Sequence, residues 1–436
     1  MNTLRRQFVR IISFTLLLLT IPLGLLTEMG IPTHIVIVPF VVLMQALILR
    51  IYKNTQSIIL LSLYVFLYFL YLLPYFYGGM NLGPYTQYQR GYLYCVVAFL
   101  FYLYYLGILL AYKYRVKSMN KRILDNYSLC ILGVNRTIFL LVFLVLLLGT
   151  LAQGQNVLVV SDGTYETYQD NLESINSMPL YTVLFLIFLY SIFKDKPKYS
   201  FLWLFIVSVL SFFCITRGLR IVLAPLFYFL FLIYLEGRIK NKQLYIIIAI
   251  GYSLFILANI LKMNMEFQAN MLFSEGDDSY VLSHHAEILY GAAAGIGLIQ
   301  DGIVSIVQRF ILNLTYILEI IVPPSWFPDM YKFPQIITSN TTIGGGGLCI
   351  IASYYMWSYT GVLLFGFFLT KYICNSYRSN NPVRILLCVI ILVFSPRWIS
   401  YDFNNLLRFP FIGILIYYIF FMNKKQLYET KNIDCV

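Results

Sequence analysis

Charged residues are scarce in this chain, at 11% of its 436 residues, whereas 60% of the residues are hydrophobic and 18% are aromatic. A soluble domain carries about twice that share of charge on its surface, so the composition excludes one. Windows of about 18 or more apolar residues recur along the whole length, and each could cross a bilayer as a helix. The sequence therefore predicts a polytopic membrane protein with a single integral membrane domain over residues 1–436.

Residues and motifs that bind metals or nucleotides are also few. The three histidines include one adjacent pair, and the seven cysteines are scattered singly without a CxxC motif. This pattern favours neither a zinc site nor a disulfide framework. The sequence has no P-loop and no dinucleotide fingerprint. We therefore expect no metal, no cofactor, no visible use of ATP and no nucleic-acid partner.

Apolar runs between charged or turn-rich breaks predict an all-α protein with about twelve transmembrane helices. The predicted helices span residues 11–29, 31–49, 58–76, 91–112, 137–153, 179–193, 199–216, 221–236, 244–261, 348–373, 383–400 and 406–422. Residues 286–322 fit either two interfacial helices or a re-entrant hairpin. Neither alternative changes the side of the membrane on which the later loops lie.

The distribution of charge predicts the orientation. With the N-terminus in the cytoplasm, about three quarters of the 31 Lys and Arg residues face the cytoplasm, as the positive-inside rule requires. About three quarters of the 19 Asp and Glu residues then face the other side. Both termini are cytoplasmic, and two large loops, 154–178 and 262–347, lie on the outer side. Loops of such length usually carry function, and the second one would contain interfacial helices.

Two arginines, Arg217 and Arg220, stand three residues apart in "TRGLR" at the predicted outer end of the seventh helix. Guanidinium groups match phosphate oxygens and stay charged, so the pair predicts a site for an anionic headgroup. The alternative is that they only extend to lipid headgroups or cap a helix end. Arg397 and Arg408, around the last outer turn, are predicted weaker partners of this site.

Ion pairs are the alternative interpretation for two further arginines. Arg408 could pair with Asp402 instead of binding phosphate. Arg309, in the ambiguous segment, could pair with Asp301 or Glu319.

Titratable groups concentrate in "GDDSYVLSHHAEILYG", within the second outer loop. A histidine near neutral pKa, or a carboxylate of raised pKa, can remove a proton from a sugar hydroxyl. His284, His285 and Glu287 are therefore the candidate general bases. The alternative interpretation is a solvated polar loop without a catalytic role.

The sequence resembles the Wzy-type O-antigen polymerases, which are membrane glycosyltransferases of lipopolysaccharide biosynthesis. Three features carry the resemblance: the twelve-helix layout with two enlarged outer loops, "TRGLR" from Thr216 to Arg220, and "SNTTIGGGGLCIIASYYMWSYTGVLLFG" from Ser339 to Gly366. The last stretch is similar to a family pattern in which a polar segment precedes a helix. A tyrosine-rich segment and paired glycines follow, here Gly361 and Gly366. The likeness covers nearly the whole chain as architecture and a few dozen residues as motif.

The resemblance implies a GT-C-like fold related to that of the O-antigen ligases, in a bacterial inner membrane with the active site facing the periplasm. It implies that Arg217 and Arg220 bind the undecaprenyl pyrophosphate of the donor, and that the loop with His284 and His285 is where the ligases keep a catalytic histidine. The expected activity is metal-independent, inverting polymerisation of lipid-linked repeat units. Expected partners are lipid-linked donor and acceptor, membrane lipids and a chain-length regulator.

Two other functions remain open on the sequence. An O-antigen ligase would move finished chains to a lipid core and uses similar chemistry. A lipid-linked oligosaccharide flippase belongs to another class and would show ionisable residues near the midplane and related halves. Here the candidate phosphate-binding arginines lie at the predicted outer edge of the membrane, and the two long loops are not symmetrically placed along the chain.

Overall fold

A computed structural model describes most of the chain, and its helices account for nearly all of the regular structure. The described residues are 2–83, 87–115, 122–127, 129, 133–152, 178–194, 197–216, 220–262, 280–281, 284–322, 326–328, 331–341 and 347–421. The predicted first outer loop, 154–178, lies outside them except for its last residue. About one third of the second predicted outer loop, 262–347, also lies outside them.

The N-terminal part of the chain is built from long apolar helices. They are α1 (Asn2–Glu28), α2 (His34–Ile51), α3 (Gln56–Leu70), α4 (Leu72–Gly78) and α5 (Gly91–Leu110). The central helices are α6 (Gly133–Leu151), α7 (Met178–Phe193), α8 (Pro197–Thr216), α9 (Arg220–Leu230) and α10 (Asn241–Lys262). A π-helical turn, Phe231–Leu235, continues α9.

Three helices occupy the region predicted as the second outer loop, and four more complete the described chain. The first three are α11 (His284–Gln300), α12 (Ile306–Leu318) and α13 (Phe333–Asn340). The last four are α14 (Cys349–Ser376), α15 (Pro382–Val393), α16 (Ser395–Ser400) and α17 (Asn405–Ile416), the last extended by a π-helical turn, Tyr417–Phe421. Two short strands, β1 (Asn81–Leu82) and β2 (Tyr280–Val281), pair in parallel.

The fold is that of an all-α membrane protein. Five helices of the described residues are long and apolar enough to cross a bilayer, namely Gln7–Glu28, His34–Ile51, Gln56–Gly78, Gly91–Tyr114 and Cys349–Ser376. Each of the twelve predicted spans overlaps a helix, but several of these helices are shorter than a bilayer crossing. The count of twelve and the GT-C-like fold stay predictions.

The predicted span 383–400 is wrong as a single helix. It divides into α15 and α16 at Phe394, where the backbone leaves the helical region. Pro396 follows in the first turn of α16, where its missing N–H costs nothing. The ambiguous segment 286–322 forms two helices, α11 and α12.

The chain divides into two compact units that are interleaved along the sequence. Unit 1 contains Met1–Lys121, Glu236–Arg378 and Trp398–Asn404, and unit 2 contains Arg122–Leu235, Ser379–Arg397 and Asn405–Val436. Each unit therefore combines three separate segments of the chain.

Helix α5 lies at the centre of unit 1, and 17 of its 20 residues are buried. It approaches α14 closely at two glycines. A methyl group on Gly107 would lie 2.3 Å from the Leu363 carbonyl oxygen, and one on Gly366 would lie 2.4 Å from that of Tyr104. Two helix backbones can come this near only where side chains are absent, which is the usual way apolar helices pack tightly in membranes.

A buried carboxyl group in unit 1 connects three segments, namely the start of α3, the residue after the π-helical turn and the C-terminal end of α14. Glu236 is 2% exposed and accepts hydrogen bonds from the hydroxyls of Ser57 and Tyr377, at 2.5 Å from Ser57. The hydroxyl oxygens of Tyr377 and Ser57 also lie 2.7 Å apart. These bonds offset the cost of removing the carboxyl group from water.

Unit 2 has an aromatic core. Phe139 of α6 packs on Phe185 of α7 and on Phe420 and Phe421 at the end of α17, with ring centroids 5.1–5.5 Å apart. The guanidinium group of Arg122 donates to the carbonyl of Ile233 in the π-helical turn. Such turns leave carbonyls short of partners, which the arginine supplies.

We predict that Gly366→Ala destabilises the protein and that Gly251→Ala does not. The first substitution forces a methyl group into the Tyr104 backbone, with an expected loss of about 1–3 kcal/mol in the free energy of unfolding. Gly251 of α10 has open space around the same position. Thermal unfolding of both variants in one detergent measures the difference, and equal stability would contradict the packing described here.

Candidate functional site

His285 is buried at the start of α11, with 6% of its surface exposed. Its ring stacks on that of Tyr71, with centroids 5.1 Å apart and planes 4° from parallel, and it lies 4.6 Å from that of Tyr68. Helix α11 can enter the core because its sequence after Tyr290 is "GAAAGIG", whose small side chains allow close packing. The histidine is therefore held by aromatic faces and not solvated.

The hydroxyl groups of two α3 tyrosines meet that of Ser400 in the same cluster. Tyr68 donates to the Ser400 hydroxyl at 2.5 Å, and the Tyr64 hydroxyl lies 3.1 Å from the same oxygen. We call His285, Tyr64, Tyr68, Tyr71 and Ser400 the histidine cluster. It joins α3 and its C-terminal cap, α11 and the last residue of α16, all in unit 1.

The other two candidate bases stand differently. Glu287 is half-buried in α11, and being two residues from His285 it lies about 200° around the helix from it. His284 begins α11, but its side chain lies outside the described residues, as do Asp277 and Asp278. The structure therefore places His285, but not Glu287, toward the tyrosines of α3.

Helix α14 is broken near its start, so the predicted span 348–373 is not one straight helix. Trp357 and Ser358 leave the helical region, and Ser358 has φ 57°, a conformation that costs energy for a residue with a side chain. A methyl group on Gly361 would lie 2.7 Å from the Ser353 carbonyl oxygen. In a continuous helix, residues eight apart are separated by about 12 Å, so the chain folds back at the break.

The break leaves helix carbonyls without their usual donors, and α12 supplies replacements. The Arg309 guanidinium donates to the carbonyls of Tyr354 and Tyr355, at 2.7 and 2.8 Å, and the Asn313 amide donates to that of Met356 at 3.0 Å. In apolar surroundings an unpaired carbonyl is costly, so this arrangement stabilises the break.

The predicted pairing of Arg309 with Asp301 or Glu319 is therefore wrong. Asp301 forms an ion pair with Arg90 at 3.4 Å, and the Arg309 guanidinium lies over the Tyr354 ring, 5.6 Å from its centroid. Asp301 is thus already paired, and the Arg309 donors are used by the two carbonyls at the break.

A polar surface lies beside the break. Glu28, exposed at the end of α1, accepts a hydrogen bond from the Tyr359 hydroxyl, whose ring packs on Tyr354. Trp357, at the break itself, is 55% exposed. Glu28 stands out in the sequence because no other acidic residue occurs before Asp125, yet nothing local indicates its tyrosine partner.

The predicted pyrophosphate ligands are only partly described. Arg217 lies outside the described residues, and Arg220 begins α9 with its side chain undescribed. Arg397 of α16 and Arg408 of α17 are half-buried and belong to unit 2. The Asp402 carboxylate, the predicted alternative partner of Arg408, accepts the Asn404 backbone N–H at 3.0 Å. The phosphate-binding roles stay predictions.

Comparison with known proteins gives no relative. No family model matches the chain, and neither a curated protein nor a solved structure does.

We predict that Arg309→Gln destabilises the protein, because the glutamine cannot reach both carbonyls that the guanidinium caps. Each carbonyl left unpaired costs about 1–3 kcal/mol. Arg238→Gln, which removes an exposed arginine, is the matched control. Thermal unfolding in detergent compares the two variants. A decrease in Tm no larger than that of the control would show that the hydrogen bonds of Arg309 to the two carbonyls are dispensable.

Proposed function

We propose that this protein is an inverting membrane glycosyltransferase that polymerises undecaprenyl-pyrophosphate-linked repeat units at the outer face of the inner membrane. The observation that carries the proposal is the histidine cluster. It unites a titratable ring and several hydroxyls within an apolar, mostly helical unit. The arginines of "TRGLR" complement it, since on the predicted topology they lie on the same side of the membrane.

The chemistry requires a base and stabilisation of a leaving group. An acceptor hydroxyl oxygen attacks the anomeric carbon of the donor as the bond from that carbon to the pyrophosphate oxygen breaks. His285 takes the hydroxyl proton, and the electron pair leaves with the lipid pyrophosphate. In this proposal the guanidinium groups of Arg217 and Arg220 stabilise the developing charge, and loss of one such contact costs about 3 kcal/mol in the transition state. In-line attack inverts the anomeric carbon.

The interleaved units favour an enzyme over a flippase. Transporters of this size are commonly built from successive halves of similar structure. Here the unit boundaries fall at residues 121/122, 235/236, 378/379, 397/398 and 404/405, so neither unit is a half of the chain. The ligase reaction uses the same donor chemistry as polymerisation. The two reactions are distinguished by their products.

We expect purified protein to extend lipid-pyrophosphate repeat units into a ladder of lengthening glycans in the presence of EDTA. Arg217→Ala and Arg220→Ala should each lower the rate about 100-fold, because the pyrophosphate charge is no longer neutralised. Arg90→Ala is the control, since Arg90 is a predicted outer-side arginine that pairs with Asp301. Gel electrophoresis of the products gives the readout.

Failure of the wild-type protein to make a ladder, under conditions where a reference polymerase does, would overturn the proposal. Transfer of one finished chain to a lipid core would identify a ligase instead. Equal losses in all three arginine variants would reject the specific role of "TRGLR".

His285→Phe should keep the fold and abolish most transfer. Phenylalanine preserves the stacking on Tyr71 and removes the proton acceptor, so we expect a rate loss of about 100-fold or more with near wild-type thermal stability. His34→Phe is the matched control, because His34 also stacks on an aromatic ring, that of Phe76 at 4.4 Å. Full activity of His285→Phe would exclude His285 as the base.

A further inference from the structure

Four basic side chains gather where α5 and α14 end, within unit 1. Lys113 and Arg115 follow α5, whereas Lys371 and Arg378 lie in the last turns of α14 and just beyond it. We call these four residues the basic patch. Lys113 and Arg378 are exposed, and Arg115 and Lys371 are half-exposed, so solutes and lipids can reach them. On the predicted topology this end of both helices faces the cytoplasm.

Aromatic rings hold the patch together. The ammonium groups of Lys113 and Lys371 each lie 5.0 Å from the centroid of the Tyr114 ring, one from each segment. The Arg115 guanidinium lies 4.5 Å from the centroid of the Tyr112 ring, and Arg378 donates to the Arg115 carbonyl oxygen. The Tyr114 ring thus positions one cation from each helix end by cation–π attraction.

No described carboxylate forms an ion pair with any of the four. The sequence cannot supply one nearby along the chain, since it has no Asp or Glu between Glu28 and Asp125 or between Asp329 and Asp402. The buried Glu236, near the same end of α14, is engaged by Ser57 and Tyr377. The C-terminal dipoles of two helices contribute only about half a negative charge each, so the part of the chain that the structure describes leaves most of the four positive charges uncompensated.

We propose that the basic patch binds the phosphate headgroup of an anionic phospholipid in the cytoplasmic leaflet. Pockets of lysine and arginine between membrane helices on this side suit such headgroups. The diester phosphate neutralises Lys113 and Lys371, while the guanidinium groups donate to its oxygens. The acyl chains then lie along the exposed apolar side chains of α14, Leu364 and Phe368. This site is independent of the glycosyl-transfer proposal.

Native mass spectrometry of detergent-purified protein titrated with phosphatidylglycerol tests the proposal. The Lys113→Gln/Lys371→Gln variant should bind this lipid about 10- to 30-fold more weakly than wild type. Lys240→Gln/Lys242→Gln is the matched control, because it removes the same charge from exposed lysines of unit 1 that carry no shared ring. A second arm replaces phosphatidylglycerol with phosphatidylcholine, and a third adds inorganic phosphate as a competitor at the concentration of the lipid.

Support requires weaker phosphatidylglycerol binding only in the patch variant, little binding of phosphatidylcholine and no displacement by inorganic phosphate at matched concentration. Equal losses in both double variants would show generic surface charge and overturn the proposal. Displacement by inorganic phosphate would identify the free ion as the ligand and reject the lipid. Because the substituted lysines are exposed or half-exposed, circular dichroism should show an unchanged helical content in both variants, which makes a lack of binding interpretable.

Discussion

The packing of the described residues of unit 1 depends on one constraint, the close backbone contact between α5 and α14. Gly107 and Gly366 let the two helices approach to a distance that side chains would prevent. With these backbones in contact, Tyr104 and Phe365 pack beside the contact and Tyr359 reaches Phe99. The glycine pair therefore sets how closely the segment of α14 after the break packs on α5.

Polar groups in this unit follow one rule, which is that each backbone carbonyl released from a helix in apolar surroundings needs another donor. Arg309 and Asn313 provide donors at the break. A related need explains why the buried carboxyl of Glu236 carries two hydroxyl partners. The cationic and acidic side chains in these places stabilise the structure, so a charge near the membrane core is not by itself evidence of a ligand.

Composition and apolar periodicity predicted the membrane class and the positions of most helices, because a bilayer-crossing helix requires a long apolar run. The breaks were not predictable in the same way. "YYMWSYTG" contains no proline, and its break depends on Arg309, an arginine 48 residues earlier in the sequence. His285 was identified from its residue type, but its partners Tyr68 and Ser400 lie 332 residues apart and are indistinguishable locally among 38 tyrosines. Only tertiary packing brings them together.

The interleaving of the two units has a consequence for biosynthesis. Tyr68 is inserted early, whereas its partner Ser400 leaves the ribosome only after unit 2 residues up to Arg397 have been made. Early helices must therefore wait in the membrane with unfilled contacts, which favours slow assembly and dependence on insertion factors that shield polar groups from lipid. A nascent chain interrupted before residue 398 would leave the Tyr68 hydroxyl without its Ser400 partner.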